Sequence, residues 1–131
     1  MENLQVGIKG EAKTIVNDGN TAIAHGSGGV MVFATPAMIA LMENAALNSV
    51  AAFLPEGHST VGINISSSHI AATPVGLKVT ARTELMQVDG KKLTFKVEAF
   101  DDKEKIGEGT HERVIINVEK FMKKNQEKTT G

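Results

Sequence analysis

Alternating apolar and polar positions divide the chain into several long strands around one continuous apolar run. Leu4, Val6, Ile8, Ala12 and Val16 alternate with Gln5, Lys9, Glu11 and Lys13, the two-residue period of a half-buried strand. Asp18-Gly19-Asn20 carries turn chemistry after it. From Pro36 to Leu54 there is no internal Pro or Gly, and the stretch is rich in Ala, Leu and Met, which predicts a buried helix. Thr35 followed by Pro36 predicts an N-cap with proline at the first helical position, and Pro55-Glu56-Gly57 closes the element.

Beyond the helix the period of two returns. Val61, Ile63 and Ile65 alternate, as do Leu77, Val79, Ala81, Thr83 and Leu85, and then Leu93, Phe95, Val97 and Ala99. These are strands with one wet and one dry face. Asp89-Gly90 predicts a tight hairpin turn, and the charged run from Asp101 to Lys105 links the next pair, so the connectivity is antiparallel. The last strand, Ile106 to Val118, alternates loosely and carries Gly107 and Gly109, which points to a bulge or to a close approach by another element. Residues 119–131 read as a charged terminal helix or tail. One apolar helix with a strand before it and about four antiparallel strands after it has few packing solutions: the sheet wraps the helix. That is the hotdog architecture, α+β, in one domain spanning residues 1–131. Its open sheet edge needs cover, and pairing of two copies about a twofold axis is the usual remedy, so a homodimer is expected.

Composition narrows the function classes. A chain of 131 residues with 41% hydrophobic content is long enough for one core and short for two domains. Fourteen basic and fifteen acidic residues nearly cancel, and there is no Trp or Tyr on which bases could stack, so a nucleic-acid partner is not expected. No basic-then-apolar leader opens the chain and no apolar run is long and charge-free enough to span a bilayer, which predicts a cytoplasmic protein without a membrane partner. The absence of Cys removes disulfides and thiol catalysis.

Candidate chemistry starts with Glu43, a carboxylate in the apolar run Met38-Ile39-Ala40-Leu41-Met42, with Thr35 eight residues before it. A charge there needs a partner or a function, unless it lies on an exposed stripe with Asn44 and Asn48. His69 follows three serines and precedes Ile70-Ala71-Ala72, small neighbours that leave space for a ligand beside a ring otherwise expected to be structural. Gly26-Ser27-Gly28-Gly29 only superficially resembles a phosphate loop: the third glycine of G-x-G-x-x-G falls on Met31, and no Lys-Ser/Thr follows. Histidines 25, 58, 69 and 111 show no metal-ligand spacing, and no G-x-S-x-G is present. Acid–base and carboxylate chemistry remains, with Thr35, Glu43, His69 and Arg113 as the available groups. The N-terminus of the helix beside Thr35 offers oxyanion stabilisation. Glu43 offers a nucleophile or base, and His69 manages protons.

From Val32 to Phe121, about ninety residues, the chain resembles the fluoroacetyl-CoA thioesterase family of hotdog proteins. The resemblance is carried by Val32-Phe33-Ala34-Thr35 with Leu41-Met42-Glu43, by Ser68-His69-Ile70-Ala71-Ala72-Thr73-Pro74-Val75-Gly76-Leu77, by Val88-Asp89-Gly90, by Gly107-Glu108-Gly109-Thr110-His111-Glu112-Arg113 and by Glu119-Lys120-Phe121. It implies a catalytic threonine, glutamate and histidine at Thr35, Glu43 and His69. It also implies an active-site glycine at Gly62, substrate contacts at Phe33 and Arg113, and hydrolysis of an acyl-CoA by a dimer without metal or redox cofactor. Two phenylalanines that form a lid in the fluoroacetate-specific enzyme correspond here to Gly26 and Gly29, which implies a mobile segment and an acyl preference other than fluoroacetyl. Two other readings of the same fold are an enoyl hydratase or dehydratase, for which no acidic residue immediately precedes His69, and a non-catalytic acyl-CoA-binding module.

Helix geometry adds a constraint. Eight helical residues rise ~12 Å and rotate roughly 80° beyond two full turns, so Thr35 and Glu43 on one regular helix do not reach the same small carbonyl. Either the helix begins late and the chain folds back near Thr35, or the two residues meet from opposite subunits.

Overall fold

The computed structural model describes residues 3–130. Strand β1 (Lys9–Ile15) precedes helix α1 (Thr35–Ala51), and then come β2 (His58–His69), β3 (Lys78–Asp89), β4 (Lys92–Phe100), β5 (Lys105–Asn117) and helix α2 (Val118–Thr130). The strands form one antiparallel sheet in the order β1-β3-β4-β5-β2, which leaves β1 and β2 at its edges. Helix α1 lies in the curl of this sheet because Met38, Met42, Ala45, Ala46 and Val50 recur on one stripe and are all buried. They meet Val79, Ala81 and Leu85 of β3, Leu93, Phe95, Val97 and Ala99 of β4, and Ile106 and Ile115 of β5 in one apolar cluster.

The element boundaries differ from the sequence expectation in three places. The first strand begins at Lys9 and not at Leu4: Gly7, at φ 101, turns the chain, so Leu4 joins the core from outside the strand and Val6 is left 60% exposed. Helix α1 ends at Ala51, ahead of Leu54. At its start, Ala34 and not Thr35 is the N-cap, in extended geometry (φ −73, ψ 140), and no side chain caps the helix. Thr35 is the first helical residue, which rules out a late start that would fold it back toward Glu43.

The hairpin between β3 and β4 turns on Gly90-Lys91, with Gly90 at φ 61 in the first central position of a type II′ arrangement, while Asp89 stays in the strand opposite Lys92. Close approach explains the glycines of β5. A Cβ on Gly107 would stand 2.5 Å from Met38 Sδ, and one on Gly109 would strike the Ser66 carbonyl and lie 2.7 Å from Ser67 Cα. Because the obstruction at Gly109 is backbone, Gly109→Ala is expected to cost about 2–3 kcal/mol. A lowered urea midpoint checks this; a wild-type midpoint would show that β2 shifts without cost.

Helix α2 forms over the charged C-terminal segment and contributes no buried residue to the core. Among the described residues no helix is long and apolar enough to cross a membrane.

Candidate active site

Two short peptide contacts bring the start of α1 to the end of β2. Phe33 N–H donates to the Thr73 carbonyl at 2.8 Å, and Val32 forms an antiparallel bridge with Pro74, so the segment entering the helix and the segment leaving β2 run side by side. Thr35 Oγ1 then stands 2.8 Å from His69 Nδ1. The threonine is exposed and the histidine half-buried, and both line a pocket of about 310 Å³ together with Ala22, Ser27, Phe33 and Ala72.

Burial pushes the His69 pKa below the ordinary histidine value, with the Ala71 backbone acting weakly in the opposite sense. The ring is therefore neutral at neutral pH. When the Thr35 hydroxyl donates to Nδ1, the single imidazole proton sits on Nε2, a buried atom with no hydrogen-bond partner among the described residues.

The second cluster lies further back along β2. A register shift between Gly62 and Asn64 sets Gly62 opposite Arg113 and leaves Ile63 without a partner on β5. The Asn64 carbonyl accepts the Nδ1 proton of His111 at 2.8 Å, which leaves Nε2 to accept from Arg113 Nη1 at 3.1 Å. Arg113 also donates from Nε to Thr60 Oγ1 at 2.7 Å and from Nη2 to the Thr60 carbonyl at 2.8 Å. Burial lowers the His111 pKa first of all, with the Arg113 charge acting in the same direction; the nearby Glu43 charge opposes both.

Glu43 reaches this cluster from α1. A Cβ built on Gly62 would lie 3.1 Å from His111 Cε1, 3.2 Å from Glu43 Oε2 and 3.4 Å from Arg113 Nη1, so the three groups converge on a glycine where even a methyl group would be tight. Glu43 is half-buried, and among the described residues it makes neither an ion pair nor a hydrogen bond. It is not on the exposed stripe of Asn44 and Asn48, which hydrogen-bond to each other at 3.2 Å. The carboxylate is thus placed by its neighbours and left with open lone pairs.

The structure joins Thr35 to His69, and Glu43 to Gly62 and Arg113, and keeps the two groups apart in one chain. Phe33 is buried beneath the first pocket. Gly26 and Gly29 are exposed, with no atom within 4 Å of either Cβ position. Arg113 is only 5% exposed, and its named donors point inward, so it fixes the floor beneath Glu43. His111 was weighed in the sequence only as a metal ligand. Its signal was the two-residue spacing to Arg113, which puts both on one face of β5.

A family model described as fluoroacetyl-CoA-specific thioesterase matches residues 16–119. The fluoroacetyl-CoA thioesterase of Streptantibioticus cattleyicolor is 46% identical over 98 residues, which are 75% of this chain and 70% of that protein. A solved structure of a fluoroacetyl-CoA thioesterase superposes with a TM-score of 0.90 at 36% identity, covering 96% of this chain and 98% of its own. A thioesterase-superfamily protein of Thermus thermophilus, 24% identical, shares the fold at a TM-score of 0.91 over 99% of this chain and 96% of its own. The curled sheet around α1 is therefore the hotdog fold of thioester hydrolases. The chain belongs to the fluoroacetyl-CoA-specific thioesterase family and is a thioester hydrolase.

Proposed function

We propose that the chain hydrolyses acyl-CoA thioesters to the free acid and CoA at a site shared by two protomers, Thr35 and His69 coming from one and Glu43, with Gly62 and Arg113 beneath it, from the other. The observation that carries this reading is the separation of the two clusters. Helix α1 is regular from Thr35 onward, which sets Thr35 and Glu43 ~12 Å apart along its axis. Seven strand positions separate His69 from Gly62 by roughly 20 Å.

The edge strand supports a second copy. Residues His58–His69 contain no Lys, Arg, Asp, Glu or Pro, and Ile63 is 53% exposed, whereas the opposite edge displays Lys9, Glu11 and Lys13. An unguarded edge of this length is a pairing surface. Antiparallel pairing about a twofold axis between Ile65 and Ser66 sets His69 across from Gly62 of the partner subunit. That brings the Thr35–His69 pair to Glu43 of the partner subunit, and symmetry gives two equivalent sites.

In such a site the uncapped N-terminus of α1, with its positive dipole end, receives the developing oxyanion of the thioester carbonyl. The Glu43 carboxylate attacks the carbonyl carbon or takes a proton from the attacking water. With water as attacker, the oxyanion collapses, the C–S bond breaks, and the proton Glu43 took from the water passes through the Thr35–His69 pair to the departing thiolate. With Glu43 as attacker, the thiolate leaves an acyl-glutamate anhydride, which water then cleaves to the free acid and the Glu43 carboxylate, a proton of that water going to the thiolate by the same pair. Every step is served by these side chains, and none draws on a cofactor.

The open segment around Gly26 and Gly29 leaves the pocket mouth uncovered, so the acyl preference is broad. A thiol-release panel of short, branched, aromatic and medium acyl-CoAs tests both activity and preference. Acyl groups larger than acetyl are expected to give higher kcat/KM than acetyl, and fluoroacetyl-CoA no large advantage over acetyl-CoA. A strong fluorinated preference would show that other residues replace the lid. Retention of acyl-CoA without thiol release would identify a binding module.

A further inference from the structure

We infer that the exposed face of α2 holds the nucleotide end of CoA, with Phe121 against the adenine and Lys124 and Lys128 against its phosphates. The inference rests on acyl-CoA being the substrate. Helix α2 buries no residue and meets the sheet chiefly at β5, so core formation does not account for it. Its composition also departs from the rest of the chain. It carries four lysines against two glutamates, whereas the remaining residues hold ten basic against thirteen acidic groups.

Lysines 92, 96 and 105 of β4 and β5 are paired with Glu98, Glu108 or Glu112. None of the four α2 lysines forms an ion pair among the described residues. Phe121, Lys124 and Lys128 recur at helical spacing on one face, where with Asn125 and Glu127 they border an open hollow of about 450 Å³ whose lining is α2 alone. Phe121 is 36% exposed there, an aromatic face open to a ligand. A flat aromatic beside two unpaired ammonium groups complements a purine carrying several phosphate charges.

Position supports the same ligand. The Val118 N–H donates to the Gly57 carbonyl at 2.9 Å, and the Asn117 side chain accepts from Lys120 N–H at 3.0 Å, so the root of α2 is fixed at the start of β2. From His58 to Gly62 is about 13 Å along the strand. The pantetheine arm of CoA bridges that interval from the thioester at Glu43 to the root of α2, and the nucleotide continues along the helix, on which Phe121 lies about 5 Å and Lys128 about 15 Å beyond Val118.

The test compares acyl-CoA with the same acyl group on N-acetylcysteamine, which keeps the thioester and lacks the nucleotide. Reversing two charges, Lys124→Glu with Lys128→Glu, is expected to raise KM for acyl-CoA about tenfold with little change in kcat. The kcat/KM for the truncated thioester stays within about twofold. Lys124→Arg with Lys128→Arg should restore the low KM. Adenosine 3′,5′-bisphosphate should inhibit acyl-CoA hydrolysis by the wild type and lose potency against the Glu variant. An unchanged KM for acyl-CoA, or an equal loss with both thioesters, overturns the inference alone. Wild-type protein that releases thiol from neither substrate overturns the hydrolytic reading and this inference with it.

Discussion

Replacing Glu43 with glutamine is expected to lower kcat by about a thousandfold while leaving the thermal midpoint close to that of the wild type. A positioned base supplies roughly 10²–10⁴ in rate, and a carboxylate nucleophile is lost outright in the amide. Attack by Glu43 itself and attack by a water it deprotonates both need the ionised oxygen, so the substitution is decisive for either route. Stability should survive because the carboxylate has no hydrogen bond or ion pair among the described residues to give up. The amide also keeps its shape above Gly62. Arg113, the nearest buried charge, retains its bonds to Thr60 and His111. Steady-state kinetics with a melting curve on the same preparation checks both halves. Near wild-type turnover would remove Glu43 from the mechanism and leave the Thr35–His69 pair as the acting base.

The architecture was legible where burial alone decides. Val79, Ala81 and Leu85, like Leu93, Phe95, Val97 and Ala99, alternate because one face of the sheet is covered by α1, and that pattern needs no tertiary information to read. The buried helix was equally plain from its Ala, Leu and Met content. What failed were positions where a long-range contact competes with a local preference. Thr-Pro reads locally as N-cap and first helical residue, yet the Thr35 hydroxyl bonds His69, thirty-four residues away, and Ala34 takes the cap position. The turn at Gly7 shortened the first strand in the same way, because a positive φ interrupts an alternation that the side chains alone would continue.

The candidate site was legible as a set of residues and illegible as an arrangement. Thr35, Glu43 and His69 stand out by residue type, neighbours and family resemblance. That they form two groups depends on how β2 registers against β5 and on the extra residue between Gly62 and Asn64. The bulge turns the Asn64 carbonyl onto His111, which in turn holds Arg113 under Glu43. No spacing in the sequence encodes that chain of contacts. Helix periodicity nevertheless restricted the outcome: a spacing of eight residues from Thr35 to Glu43 excluded a compact site on one regular helix.

The shared site is the central claim, and subunit complementation measures it most directly. Thr35→Val removes the hydroxyl beside His69 at nearly constant volume, and Glu43→Gln removes the carboxylate; each homodimer is expected to be inactive. After equimolar mixing and verified subunit exchange, half of the dimers are mixed. Each mixed dimer joins Thr35 and His69 of one protomer to Glu43 of the partner subunit at one intact site, while its other site carries both substitutions. Activity should therefore return to about a quarter of the wild-type rate. No recovery after complete exchange would contradict the account and confine each site to a single chain.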